Sequence, residues 1–428
     1  MYTGDMSAKK TLKRCSSPNE QIYFKFGLRG NDDTAVLLLN KYPMKARTKN
    51  IKASQIAALN TILSNIPNAI TLTIRNFNKL KNEDRGFSKH IFLAVLDHLG
   101  RHNLINRDGK GFSISVITFS PPIMKYIPDR IFYHPIDAII TNIEGERAVA
   151  KINTAERRKL KNYLKAWWEF IKQHDIDPGI TTNEFKLFND REVLILGKSP
   201  LAKPEKTDIL PQIIFNDRDL TKGGRMYGAF WINMKKELRR AITIDGCKTC
   251  DIDGKAMHVQ LLYRLIGEPI PGGDLYIYTD ERRRITKHLM LLMMNTAEEF
   301  QPEEGRKRVK STYRRRFGHD EGLDEFILEL EGFHHKIFPE LYKPNWGRLQ
   351  HTEAAIMLNI MEAAMKEDIV VLPVHDGCLC KLDHKERVLQ LFTDQRIEAE
   401  ENEEHLLPLP LEETKKLLKA FYEYKKVA

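Results

Sequence analysis

Two aspartates stand where short apolar runs end, far apart in the chain. Asp253 closes Thr249-Cys250-Asp251-Ile252-Asp253-Gly254, just before the largely apolar stretch Ala256-Met257-His258-Val259-Gln260-Leu261-Leu262-Tyr263. Asp376 lies between Ile369-Val370-Val371-Leu372-Pro373-Val374 and Gly377-Cys378-Leu379. The patterns predict a strand running into a helix at the first site and a hairpin tip at the second. Carboxylates at strand ends can be held rigidly over a cleft, and their hard oxygens suit Mg²⁺, with Mn²⁺ as a substitute. In-line phosphoryl transfer onto a 3′ hydroxyl uses two such ions about 3.5–4 Å apart, so two carboxylates have to meet. Taken singly, each aspartate reads more readily as a turn or cap residue, since Asp-Gly is the commonest hairpin turn dipeptide, and the pair gains force only from what surrounds it. Asp251 shares a side of the extended strand with Asp253 and is either a further ligand or a solvated acid.

Cations follow the first aspartate. Arg283 and Lys287 stand four residues apart, so one helical face presents both, as a triphosphate clamp requires. The run from Arg306 to Arg316 is either the wall of a nucleic-acid channel or a solvated helix face. Met290, Met293 and Met294 among leucines read as core packing. Cys247-x-x-Cys250 and Cys378-x-Cys380 flank the two aspartates, and four thiols brought together could bind zinc. Cys-x-Cys is not a usual knuckle half, so structural Zn²⁺ is not expected and reduced thiols are.

The order of these elements resembles a known family. Thr221-Lys222-Gly223-Gly224-Arg225, Asn233-Met234, Arg239-Arg240-Ala241-Ile242 and then Asp253 with its helix resemble the threonine-glycine-arginine element and motif A of bacterial DNA polymerase I and its relatives. Gly273-Asp274-Leu275-Tyr276 resembles the glycine-aspartate-isoleucine-histidine stretch before the fingers helix, and Arg283 with Lys287 resembles motif B. Leu349-Gln350-His351-Thr352-Glu353-Ala354-Ala355-Ile356 is similar to the helix that touches the primer terminus, and Val374-His375-Asp376 to motif C.

The resemblance covers about residues 215 to 385 and implies a template-directed nucleotidyl polymerase, in the first place a DNA polymerase. It implies Asp253 and Asp376 as ligands of two Mg²⁺ ions, Arg283, Lys287 and His258 at the incoming nucleoside triphosphate, and Arg225, Gln350 and His375 at a DNA primer-template, with an RNA template left open. The implied fold class is α+β: an antiparallel palm sheet with helical fingers at about 280–320. The chain also departs from the pattern. His258 stands where relatives carry a sugar-gating glutamate, Asn295 where they carry an aromatic ring, and Gly377 where motif C has glutamate. These departures leave the choice between deoxynucleotides and ribonucleotides open. No exonuclease domain is recognised, so proofreading is not expected. A primase, a template-independent nucleotidyltransferase and a non-catalytic replication initiator are the rival readings.

These residues need a scaffold. The chain has 428 residues, a net charge of +10 and a pI near 9.1, which predicts two or three compact units and suits a polyanionic partner. Residues 1–20 read as a mobile basic start. Residues 21–150 read as an α/β region in which His90–Leu99, Asn103-Leu104-Ile105, the turn Asp108-Gly109-Lys110-Gly111 and Phe112–Val116 follow the order of a winged helix. That order serves either DNA reading or structure alone. Residues 151–205 read as a thumb-like helix from Thr154 to about His174, with Trp167 and Trp168 in the core, and a Pro- and Lys-rich linker at 198–206. The palm and fingers then occupy 206–428. Five cysteines predict a reducing compartment, most simply the cytoplasm, and no apolar leader or apolar run of about eighteen residues predicts no membrane contact; a monomer is expected.

Overall fold

The computed structural model describes residues 28–30, 33–46, 48–65, 71–75, 87–108, 114–128, 131–133, 138–150, 154–196, 198, 201, 203–318, 321–401 and 411–427. The basic start at 1–20 and the hairpin tip at 109–113 lie outside them. The chain forms two compact units, 1–137 with 207–210, and 138–206 with 211–428. Both mix helices with largely antiparallel sheets, an α+β architecture. No helix among the described residues is long and apolar enough to cross a membrane.

The first unit contains β1 (Leu28–Gly30), α1 (Asp33–Lys41), α2 (Lys49–Asn65), β2 (Thr71–Arg75), α3 (Lys89–Arg101), β3 (Ile105–Asp108), β4 (Ile114–Phe119) and β5 (Ile131–Tyr133). Ser88 caps α3, its hydroxyl accepting the Ile91 N–H at 3.3 Å. Phe92, Val95, Leu96 and Leu99 recur at helical spacing and bury with Leu59, Ile62 and Leu63 of α2 and Ile117 and Phe119 of β4. The helix-then-hairpin order is present, and β2 completes an antiparallel sheet in the order β2-β4-β3.

The second unit begins earlier than the composition suggests. β6 (Ile139–Ile143) and β7 (Glu146–Val149) form a hairpin, and β6 pairs in parallel with β9 (Gln212–Phe215), which pairs antiparallel with β10 (Gly223–Tyr227). That long-range pairing draws 138–206 into the unit, so the boundary falls before residue 138 and not at 150. Between these strands lie α4 (Ala155–Ile171), β8 (Ile176–Asp177) and α5 (Thr182–Asp190). On α4, Trp167 and Trp168 are buried, and the Trp168 indole N–H donates to the Pro211 carbonyl at 3.2 Å. The expected linker is tied down as well, with Lys206 Nζ 2.5 Å from Asp175 and 2.9 Å from Asp177.

After α6 (Phe230–Asn233) and α7 (Lys236–Arg239) comes the second sheet, in which β11 (Thr243–Ile244) leads into the long β12 (Cys247–Gly254) and α8 (Met257–Ile266). Four helices follow: α9 (Arg282–Met294), α10 (Pro302–Phe317), α11 (Leu323–Phe333) and α12 (Trp346–Lys366). The chain returns through β13 (Val371–Val374), β14 (Gly377–Lys381), α13 (Lys385–Asp394), β15 (Ala399–Glu401) and α14 (Leu411–Val427). β14 lies between β13 and β12, and the other edge of β12 takes β11 at one end and β15 at the other.

Alternation sorts the side chains of this sheet. Cys250 pairs with Cys380 and Ile252 with Cys378, so those thiols share one face, whereas Asp251 and Asp253 lie on the other with their register partners Leu379 and Gly377. The turn from β12 into α8 is fixed by buried Gln260, whose amide donates to the Lys255 and Glu398 carbonyls and accepts the Glu398 N–H at 3.0 Å.

Candidate active site

Strand register brings the two aspartates together. Asp253 is the Cα partner of Gly377, and Asp376 is the residue just before it, in the two-residue connection His375-Asp376 between β13 and β14. The Gly254 N–H donates to the Asp376 carbonyl at 3.1 Å and locks the connection onto the end of β12. Both aspartates keep partial exposure. Burial pushes the Asp376 carboxyl up to about 6, and the negative charges of Glu353 and Asp253 add to the rise.

Gly377 explains a departure in the sequence. A Cβ at this position would fall on the Asp253 carboxylate and lie 2.5 Å from the Ile252 carbonyl oxygen, so a glutamate in its place would displace Asp253 or part the strands. The missing side chain is therefore what lets the two carboxylates share one end of the paired strands.

Behind the pair stands an acid whose role sequence reasoning did not identify. Glu353 on α12 is fully buried, and its two oxygens accept from Arg225 Nε and Nη2, both at 2.6 Å. His258 Nε2, at the second position of α8, donates to the same carboxylate at 2.8 Å. Burial alone would raise the Glu353 carboxyl, yet the bonds from His258 and Arg225 hold it below its ordinary value. Arg225 and His258 are thus committed first to Glu353, beside the aspartates. The available signal was an acid at position 353 on a helix face otherwise made of Leu349, Ile356, Met357 and Ile360.

The cations of α9 gather around Tyr276. The Arg283 guanidinium lies 5.1 Å and Lys287 Nζ 5.9 Å from the centre of its ring. Asp274 sets the arrangement, accepting the Tyr276 N–H at 2.7 Å and Arg283 Nε at 2.5 Å. Thr286 donates its hydroxyl to the Tyr276 carbonyl at 2.6 Å. Burial and then the Asp376 charge raise the Tyr276 hydroxyl's proton affinity. The sequence motif marks Asp274 and Tyr276 without showing that they hold Arg283 and Lys287 together; their contacts do.

Compared with known protein families and with curated proteins, the sequence matches none.

The remaining candidates divide. Gln350 is half-buried one turn before Glu353 on the same face of α12, and His375 is exposed with its ring 6.0 Å from that of Tyr227. Asn295 stands outside α9 as its C-cap, its side-chain amide donating to the Leu291 carbonyl at 2.9 Å, a position for which an amide is better suited than a ring. Asp251 is not solvated: it is buried, with Arg239 Nη1 at 3.5 Å. The thiols do not converge. Cys250 and Cys380 approach at 3.5 Å with Cys378 buried on their face, but Cys247 is exposed and its odd position on β12 turns it to the opposite face.

Among the described residues no three His, Cys, Asp or Glu side chains form a group arranged for a metal ion. The two aspartates nonetheless fit a hard divalent cation, because neighbouring carboxylates whose repulsion favours a proton are a pair that such a cation would neutralise. Mg²⁺ in such sites takes its remaining ligands from water and substrate phosphates.

Proposed function

We propose that the second unit is the palm and fingers of a template-directed nucleotidyl polymerase, with β12, β13 and β14 as its palm and α9 and α10 in its fingers. The observation that carries this reading is the pairing of Asp253 with Gly377, which makes Asp253 and Asp376 neighbours at one end of two hydrogen-bonded strands. The order of the surrounding elements, and the gathering of Arg283 and Lys287 around a tyrosine that senses the Asp376 charge, support it.

Asp253 and Asp376 would hold two Mg²⁺ ions, which when bound activate the 3′ hydroxyl and neutralise the departing pyrophosphate. Arg283 and Lys287 bind the triphosphate, and Asp274 and Tyr276 keep the two cations aligned. Glu353 orients Arg225 towards the nucleic acid and fixes the His258 ring near the incoming sugar. The protein's share of the rate is positioning and electrostatics. The helix and hairpin of the first unit, α3 with β3 and β4, are assigned a winged-helix role in gripping the nucleic acid.

Primer extension on DNA and RNA templates, with deoxynucleotides and ribonucleotides in separate reactions, tests the reading. Mg²⁺-dependent extension that vanishes in Asp253→Asn and in Asp376→Asn is expected. Extension that survives either change would overturn it. Incorporation without primer or without template would move the assignment to a primase or a terminal transferase.

A further inference from the structure

The two halves of α10 use their charges differently. In its first three turns Arg306 binds Glu331 at 2.6 Å, Lys307 binds Glu303 at 3.0 Å, Arg308 binds Glu304 at 3.2 Å and Lys310 binds Asp324 at 2.5 Å. In the last turn Arg315 and Arg316 are exposed and make no ion pair among the described residues. Phe317 follows them, 41% exposed, with the ring of His288 from α9 stacked on it at 4.4 Å and 13°. Tyr313 closes the cluster, 4.7 Å from Phe317. Arg284, exposed on α9 one turn before His288, is close enough to act on both His288 and Tyr313.

Basic residues at a helix C-terminus complement its dipole, which accounts for the arginines alone. It does not account for an aromatic ring left in water beside them on a stacked partner. A ring that offers a π-surface, bordered by guanidinium groups that make no ion pair among the described residues, is the pairing that single-stranded nucleic acid uses: bases stack without regard to sequence while phosphates take the charge.

We propose that this end of α9 and α10 is a docking platform for single-stranded nucleic acid, with a base stacked on Phe317 and neighbouring phosphates held by Arg284, Arg315 and Arg316. The proposal deepens the polymerase reading and rests on it for the choice of partner. Duplex cannot offer an unstacked base to the ring, so the platform takes the unpaired strand.

The test is fluorescence anisotropy of the full chain with a labelled oligothymidylate, a labelled duplex of equal length and heparin as an unlabelled competitor, without nucleotide and with the metal chelated. Phe317→Ala should weaken oligothymidylate binding about ten-fold while leaving duplex binding and the salt slope unchanged, and Phe317→Trp should retain wild-type binding. Arg315→Ala with Arg316→Ala should lower the salt slope for the single strand by about 1.4, near 0.7 for each phosphate no longer neutralised. Phe317→Ala binding that equals wild type, or that falls equally for duplex and heparin, overturns the platform. Extension activity together with Phe317-independent binding would end the platform and leave the polymerase; Phe317-dependent binding without extension would do the reverse.

Discussion

β12 and β14 carry opposite chemistry on their two faces. One face holds Asp251 and Asp253 with Gly377 beside them, and the other holds Cys250, Ile252, Cys378 and Cys380. The carboxylate face keeps partial exposure at Asp253 and sets charges close together, whereas the thiol face is sealed and weakly polar. The difference shows how a sheet can bring two like charges together at the end of its paired strands. The dry face supplies the rigidity that repulsion on the other face would otherwise undo.

The comparison can be broken most severely at the carboxylates. Asp253→Asn or Asp376→Asn should lower nucleotide incorporation by about 10³-fold or more in primer extension, with an unchanged far-UV circular dichroism spectrum. Gly377→Ala should cost about 10²-fold, because its methyl group takes the place of the Asp253 carboxylate and displaces it from its aim. Glu353→Ala strands the Arg225 charge and should destabilise the unit by about 3–5 kcal/mol in urea unfolding.

A pH series sharpens the contrast further. Because the folded Asp376 carboxyl is raised from 3.8 to about 6, its contribution to stability is fully present below the lower value and lost as pH rises through the upper one. Metal-free wild type should therefore lose stability relative to Asp376→Asn across that window, measured by urea unfolding, and Mg²⁺ should reverse the loss. The smallest effect belongs to the other face: Cys250→Ala should cost about 1 kcal/mol of stability and leave extension unchanged.

Local pattern made part of this legible. Apolar runs ending in Asp253 and Asp376 announced the strand, the turn and the helix after them, and the spacing of Phe92, Val95 and Leu99 announced α3. What stayed hidden depends on partners distant in sequence. Glu353 reaches Arg225 across 128 residues and His258 across 95, and the acid on its apolar helix face marks a buried charge without naming its partners. Asp251 looked like a ligand or a surface acid because alternation gives its side of the strand and not its burial. The unit boundary moved for the same reason, since the β6–β9 pairing joins segments that composition would separate.

The shared carboxylate of Glu353 also bears on how the molecule matures. Strand β10, helix α8 and helix α12 must all have arrived before that buried acid has both its hydrogen-bond donors, Arg225 and His258, and a conformer missing β10 leaves its charge without the guanidinium that pairs it. Half-assembled forms are thus penalised beside Asp253 and Asp376, and this end of the sheet is complete only when segments distant in the chain have closed on one another.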